Sequence, residues 1–301
     1  MSKTVVGATG AKVTGVCASL IVMQSVLYGF GDPISKAAYA SMSVYSLMTV
    51  RYALALLVLL ALCGKRIVRG LRAVPVRLWL VPSLCVAGGY VLNNIALNLT
   101  TATSATFLRS MATILTPLLA FLLYRARYHW VHIPLQLFVV VGLYLFCGGM
   151  SGFGLGEVVG LGSAVLIAAS LVFSGTAMEA MDALTLTAVQ AAASMLLALV
   201  CAFFFEGGLT LQGASPTNWA IIVYLAIGCT LIGYLLQNLA LSGISSRTVA
   251  LLQCTAPVLT AFFSYFLLGE QLSLWGKVGA AIILFCVVAE TLLDTKTPSD
   301  A

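Results

Sequence analysis

The sequence predicts an all-α polytopic membrane protein of ten transmembrane helices, arranged as two inverted five-helix repeats around a central cavity. Its apolar composition, its long hydrophobic segments and an internal repeat carry that prediction. Hydrophobic residues make up 61% of the 301-residue chain and charged residues 8%, against about 25% charged in a soluble domain. A chain this apolar needs a solvent as apolar as itself, which is a lipid bilayer.

A spanning helix takes about 20 residues. Apolar stretches between charge, Gly and Pro punctuation place spans at 11–30, 42–63, 77–98, 102–123, 130–149, 157–178, 184–205, 217–238, 246–268 and 274–293. Their unbroken hydrophobicity argues against barrel strands, which alternate with period two. No stretch between them is long enough for a soluble domain. Lys3 and Lys12 precede the first run as in a signal peptide. That run reaches Phe30 without a small-residue cleavage site, so it reads as a retained first helix.

Lysine and arginine set the expected orientation. With the N-terminus in the cytoplasm, Lys3, Lys12, Lys65, Arg66, Arg69, Arg72, Arg77, Arg125, Arg127, Arg247 and Lys296 fall on that side, and Lys36 and Lys277 fall opposite. Both termini are therefore expected to be cytoplasmic. The net charge of +6 follows from this placement. The basic stretch 64–77 is a topology signal first, with anionic lipid as a secondary contact and nucleic acid excluded. The eight cysteines show no C-x-x-C pair and no zinc spacing, so they read as small hydrophobes.

The chain also repeats itself. A shift of 144 residues lays Tyr90–Thr116 on Tyr234–Thr260 without a gap, with nine of 27 positions identical. Tyr90 meets Tyr234, Asn94 meets Asn238, and Ala96–Leu97 meets Ala240–Leu241. A repeat of five helices is odd-numbered, so the second copy enters the membrane inverted. The expected halves are 1–150 and 151–301. Inverted repeats are an architecture of secondary transporters, which bind substrate near the midplane between the halves.

The stretch from Tyr234 to Leu284 is similar to the second-repeat signature of the EamA family in the drug/metabolite transporter superfamily. Its marks are Ala240–Leu241, Pro257, Gly269–Glu270 and Gly279. In the first half, Tyr28-Gly-Phe-Gly with Lys36 eight residues on, Arg51, Ala96–Leu97 and Pro117 follow in family order. Two departures stand out: Tyr28 replaces the more usual Trp, and Leu123-Tyr124-Arg125 stands where Gly-Glu is expected. The resemblance implies ten helices around a cavity, rocking that alternates access, and metabolite substrates that include amino acids. It also implies the plasma membrane of a bacterial cell, the inner one where there are two.

Polar groups at membrane depth are the candidate site residues. A charge near the bilayer centre costs about 2.5–3.5 kcal/mol on insertion scales and faces a cavity or a partner. Arg51 and Arg109 are two such groups. Every carboxylate, Asp32 included, falls near a predicted span end, so the cavity is expected to be positive. Arg109 either binds a substrate carboxylate as a bidentate donor or bonds helix ends. Its repeat mate is Gln253. Arg51 reads as structural.

Asn93, Asn94, Gln237 and Asn238 lie at matching depths and suit a zwitterion or a helix contact alike. Gln24 and Gln190 are further cavity candidates. Tyr28, Tyr90, Tyr224 and Tyr234 form either an aromatic wall or interface anchors. Pro117 and Pro257 are expected to kink their spans and help the gate, with Gly269 and Glu270 at the span end.

Gly7, Gly10 and the glycines of 152–156 lack a βαβ context and are not phosphate loops. His129 and His132 have no third ligand, so no metal and no cofactor are expected. Neither histidine is deep, which leaves an intramembrane enzyme without a base. The expected function is a carrier of a small carboxylate-bearing metabolite, with amino acids first, working as a monomer and exporting from the cytoplasm. The missing deep acid argues against proton coupling. Efflux of organic cations or drugs is the alternative; it would require a buried acid.

Overall fold

The computed structural model describes residues 3–125, 133–146, 154–211, 215–271 and 273–294. Arg127, His129, His132, Lys296 and, of the glycines in 152–156, Gly152 lie outside the described residues, as do the side chains of Lys3 and Lys12. All the regular elements described are helical: α1 (Lys3–Tyr39), α2 (Val44–Ala73), α3 (Val76–Leu99), α4 (Ala102–Ser110), α5 (Ala112–Tyr124), α6 (Ile133–Phe146), α7 (Leu155–Met178), α8 (Ala183–Phe205), α9 (Pro216–Tyr224), a π-helical stretch (Leu225–Ile232), α10 (Gly233–Leu241), α11 (Ser246–Leu252), α12 (Thr255–Leu268) and α13 (Leu274–Asp294).

Eight helices or helix pairs among the described residues are long and apolar enough to cross a membrane. They are α1 from Val13, α2, α3, α4–α5, α7, α8, α9–α10 and α11–α12. α6 and α13 occupy the other two positions expected from the sequence. Large side chains such as Leu62, Phe204, Phe205, Phe266 and Phe285 are exposed. Water would not tolerate that surface, and lipid does.

The dominant packing pairs are α3 with α7, α2 with α8, α1 with α12 and α6 with α13. Each joins a helix from before residue 150 to one after it, so the halves interdigitate. Small residues make this possible where lipid provides no hydrophobic drive between helices. A Cβ on Gly89 would lie 2.8 Å from the Ile167 side chain, and one on Gly160 would lie 2.7 Å from Leu108. The Ser163 hydroxyl donates to the Gly89 carbonyl at 2.8 Å across the same seam. Turns are short because the helices start with side-chain caps: Ser43, Thr101, Asp182, Ser215 and Ser245 each accept an amide three residues on.

Three findings differ from the sequence expectation. First, α1 runs through Pro33 to Tyr39 rather than ending at Phe30. Asp32 therefore lies inside a spanning helix, and the expectation of no deep carboxylate is corrected. Hydropathy ended the span at Gly31-Asp-Pro, but a membrane helix tolerates proline where neighbours re-satisfy its backbone. Second, the interruptions in α4–α5 and α11–α12 fall at Met111 and at Gln253–Cys254, ahead of Pro117 and Pro257. Pro257 sits in the first turn of α12, where amides lack helical partners anyway, and Pro117 lies inside α5. Third, the eighth span widens into a π-helix over Leu225–Ile232, for which the sequence offers no clear signal.

The ends of α5 and α12 match across the repeat. Gly269 caps α12 in the left-handed region at φ 69°, and Arg125, 144 residues earlier, caps α5 at φ 50°. An L-residue there costs about 1 kcal/mol. Gly269→Ala is therefore expected to lower the thermal midpoint of the purified protein, whereas Arg125→Gly is expected to raise it. A Gly269→Ala protein as stable as wild type would contradict the strained cap.

Candidate substrate site

The core of the bundle holds a row of four tyrosine rings with a guanidinium at each end. The Arg109 guanidinium lies 5.9 Å from the Tyr28 ring. Tyr28 meets Tyr90 edge-on at 6.0 Å, Tyr90 lies 5.4 Å from Tyr234, and Tyr234 lies 6.3 Å from Tyr52. The row ends with Arg51, 4.9 Å from the Tyr52 ring. These side chains come from α1, α2, α3, α4 and α10, so both halves build the row. Gly233 admits it: a Cβ there would come within 2.7 Å of the Tyr28 ring. Tyr224 stands apart, packed on Phe30 with its hydroxyl donating to the Leu27 carbonyl.

The two arginines have different partners. Arg109 Nη2 binds Asp32 Oδ2 at 2.9 Å, with the side chains 9% and 13% exposed. The Thr106 hydroxyl donates to the same oxygen at 3.0 Å. Arg51 is buried too, yet its Nε donates to a neutral hydroxyl, Thr230 Oγ1, at 3.0 Å. No carboxylate lies within ion-pair distance of Arg51 among the described residues. Thr230 belongs to the π-helical stretch, a feature that concentrates at functional sites.

The amides divide into two groups. Gln24, Gln237 and Gln253 form a cluster: Gln253 Nε2 donates to Gln24 Oε1 at 2.9 Å and to Gln237 Oε1 at 2.8 Å, and Gln24 Nε2 donates to Gln237 Oε1 at 3.1 Å. Asn238 is used between helices, donating to Thr187 and to Gln190 Oε1, while Gln190 donates to Ser174. Asn94 donates to the Tyr90 carbonyl of its own helix and accepts from Tyr39. Asn93 differs, because its Oδ1 is buried without a hydrogen bond. Tyr28 Oη and Ser25 Oγ are also buried and unsatisfied. A buried orphan polar atom costs about 1–3 kcal/mol, so three of them around one point call for a ligand or water.

Two small cavities flank this point. One, of about 10 Å³, is lined by Asp32, Arg51 and Asn93 among others. The second, of about 30 Å³, is lined by Ser25, Arg109, Thr113 and Gln253 among others. Tyr28 and Tyr90 line both. Such volumes admit a water or two and no metabolite, so the conformation is occluded.

The end of the bundle that gathers the C-termini of α1, α3, α8 and α12 is held shut by polar clamps. Glu270 accepts from the Ala102 and Thr103 amides and, at 2.7 Å, from the Thr103 hydroxyl. Glu206 accepts from Ser43 Oγ at 2.6 Å and from the Tyr45 and Ser46 amides. Each second-half carboxylate thus sits on a first-half helix N-terminus, where the helix dipole favours negative charge. Lys36 donates to the Leu97 and Thr100 carbonyls at the end of α3. The opposite end carries the exposed Arg66–Asp182 pair at 3.6 Å. Tyr39, Tyr52 and Thr230 went unnoticed in the sequence, and Asp32 and Glu206 were read only as carboxylates at span ends; the pattern that places Asp32 deeper is an α1 apolar face that continues past Pro33.

A bundle of interleaved inverted halves with a charged, occluded centre defines a membrane transporter. The chain belongs to the EamA-like transporter family, whose model matches residues 15–148 and again 154–289. It is similar to a protein of Archaeoglobus fulgidus described as an uncharacterized transporter, 26% identical over 273 residues, covering 90% of this chain and 84% of that one. A solved crystal structure shares the fold with a TM-score of 0.74 at 21% identity, covering 93% of this chain and 98% of the other.

Removing one partner of a buried pair costs about 3–5 kcal/mol, because the other charge is stranded. Asp32→Asn and Arg109→Gln are each expected to lower the thermal midpoint sharply, and the double variant is expected to lose less than the sum of the two. Additive losses would show that the pair is not coupled.

Proposed function

We propose that the protein carries a small carboxylate-bearing metabolite, with amino acids first, by alternating access between its two ends. The observation that carries this is the charge count of the occluded centre among the described residues: two buried guanidiniums, Arg51 and Arg109, against the acid Asp32. A centre left with one positive charge favours an anionic group on its ligand. The stronger candidate for that group is Arg51, since Arg109 is already neutralised by Asp32. The excess of Lys and Arg at the Arg66 end supports cytoplasmic termini in a plasma membrane. With that orientation the Glu206 and Glu270 clamps close the outer side, and export is the direction proposed. One chain supplies every residue of the site, so a monomer suffices.

Asp32 removes the premise on which uncoupled transport was expected, and coupling to protons is not part of the proposal. Asp32 also favours a second function. An organic cation would find an acid and a row of tyrosines here, which is the chemistry that cation efflux requires. Against it, Oδ2 of Asp32 is occupied by Arg109.

The test is counterflow in liposomes of the purified protein with labelled amino acids, other carboxylates, amines and sugars. Counterflow of carboxylates, with amines and sugars excluded, is the expected result. Movement of amines alone would overturn the carboxylate proposal in favour of the cation one.

A further inference from the structure

The C-terminal end of α2 carries charge that the substrate site does not use. From Val44 to Lys65 the helix climbs about 32 Å, which matches the roughly 30 Å of hydrocarbon in a bilayer. Its last turns therefore lie at the level of the lipid phosphates. They carry Lys65, Arg66, Arg69 and Arg72, and Arg77 follows in the first turn of α3. All five are exposed.

The bundle sorts the two faces of this helix end. Leu59 and Ile67 form a buried cluster with Ala188 of α8, against which Cys63, Leu71 and Leu184 pack. A Cβ on Gly70 would lie 2.6 Å from the Thr185 side chain, so that face is filled. Leu62, Lys65, Arg69 and Arg72 recur at spacings of three and four residues and share the other face. Leu62 is 77% exposed, and Val68 and Val76 are exposed as well. The free face is thus apolar toward the membrane interior and basic at its end. Little in the protein offsets this charge. Arg66 reaches Asp182 at 3.6 Å, and Asp182 also caps α8 through the Thr185 amide and hydroxyl. Among the described residues no acid lies within ion-pair distance of Lys65, Arg69, Arg72 or Arg77. A topology signal needs cations on this side of the membrane, on any face. Gathering them into one stripe that continues an exposed apolar one is what a lipid contact adds.

We propose that this stripe binds an anionic phospholipid, with the phosphate among Lys65, Arg69, Arg72 and Arg77 and an acyl chain along Leu62. Basic clusters of this size next to a spanning helix suit anionic headgroups. A soluble phosphate would meet the same cations without the apolar contact. The site is independent of the substrate carried, so its test needs no transport.

The experiment titrates the purified, delipidated full chain in neutral detergent with phosphatidylglycerol or phosphatidylcholine of the same acyl chains, and counts bound lipid by native mass spectrometry. Each cation near an anionic headgroup is worth about fivefold in affinity, so wild type is expected to prefer phosphatidylglycerol by about tenfold or more. That preference is expected to fall severalfold in Arg69→Gln/Arg72→Gln and at high salt. Lys277→Gln removes an exposed cation outside the stripe and is expected to leave it unchanged. Equal binding of both lipids by wild type, or an unchanged preference in the double variant, would overturn the site. An equal loss in Lys277→Gln would overturn it too, by showing a diffuse field in place of a stripe. Should the double variant fail to fold, wild type still decides: a preference that survives high salt, or displacement of the lipid by glycerol phosphate, would contradict the proposal.

Discussion

A guanidinium buried in a membrane protein needs a partner, and among the described residues the centre of this bundle offers one acid for two. Asp32 gives Oδ2 to Arg109, and Arg51 is left with the Thr230 hydroxyl and the face of Tyr52. Much of the surrounding architecture serves that imbalance. The π-helical stretch brings Thr230 to Arg51, α1 continues past Pro33 so that Asp32 reaches Arg109, and the tyrosine row fills the space between the guanidiniums. A substrate carboxylate would give Arg51 the ionic partner it lacks, which is a physical reason for the empty carrier to prefer a ligand with an anionic group.

Every dominant helix pair joins the two halves, and glycines at the seams receive large side chains of the facing helix, as Gly89 receives Ile167 and Gly160 receives Leu108. Directional bonds also close one end, where Glu206 and Glu270 cap α2 and α4 from the other half. Those clamps pull charge away from helix N-termini when they release, so opening at that end has a definite energetic barrier. The opposite end, with its exposed Arg66–Asp182 pair, has a weaker one.

Much of this was legible in the sequence. Continuous hydrophobicity gave the helices, and the match of Tyr90–Thr116 to Tyr234–Thr260 made Tyr90 and Tyr234 repeat mates, whose rings lie 5.4 Å apart in the structure. Arg109 and Gln253, aligned by the repeat, both stand where their spans are interrupted. Other elements were hidden for physical reasons. Asp32 lies in a Gly-Asp-Pro run that punctuates a soluble chain but not a packed membrane helix. The π-helix has no composition of its own. Residue type alone could not separate Asn93, for which no hydrogen bond is seen at Oδ1, from Asn94, bonded at both its amide atoms, or from Asn238, whose Nδ2 is bonded while its Oδ1 is also an orphan. The prolines drew attention to kinks, yet the helices break earlier, at Met111, more than a turn before Pro117, and at Gln253–Cys254, within a turn of Pro257.

The central claim is that Arg51, the guanidinium without an acid, holds the substrate's carboxylate. Calorimetric titration of a transported substrate into purified wild type and Arg51→Gln, with folding checked by gel filtration, tests it most directly. The loss of a charge-assisted bidentate bond is worth about 1.5–3 kcal/mol, so the variant should bind at least tenfold more weakly. Unchanged affinity in a folded Arg51→Gln protein would contradict the account.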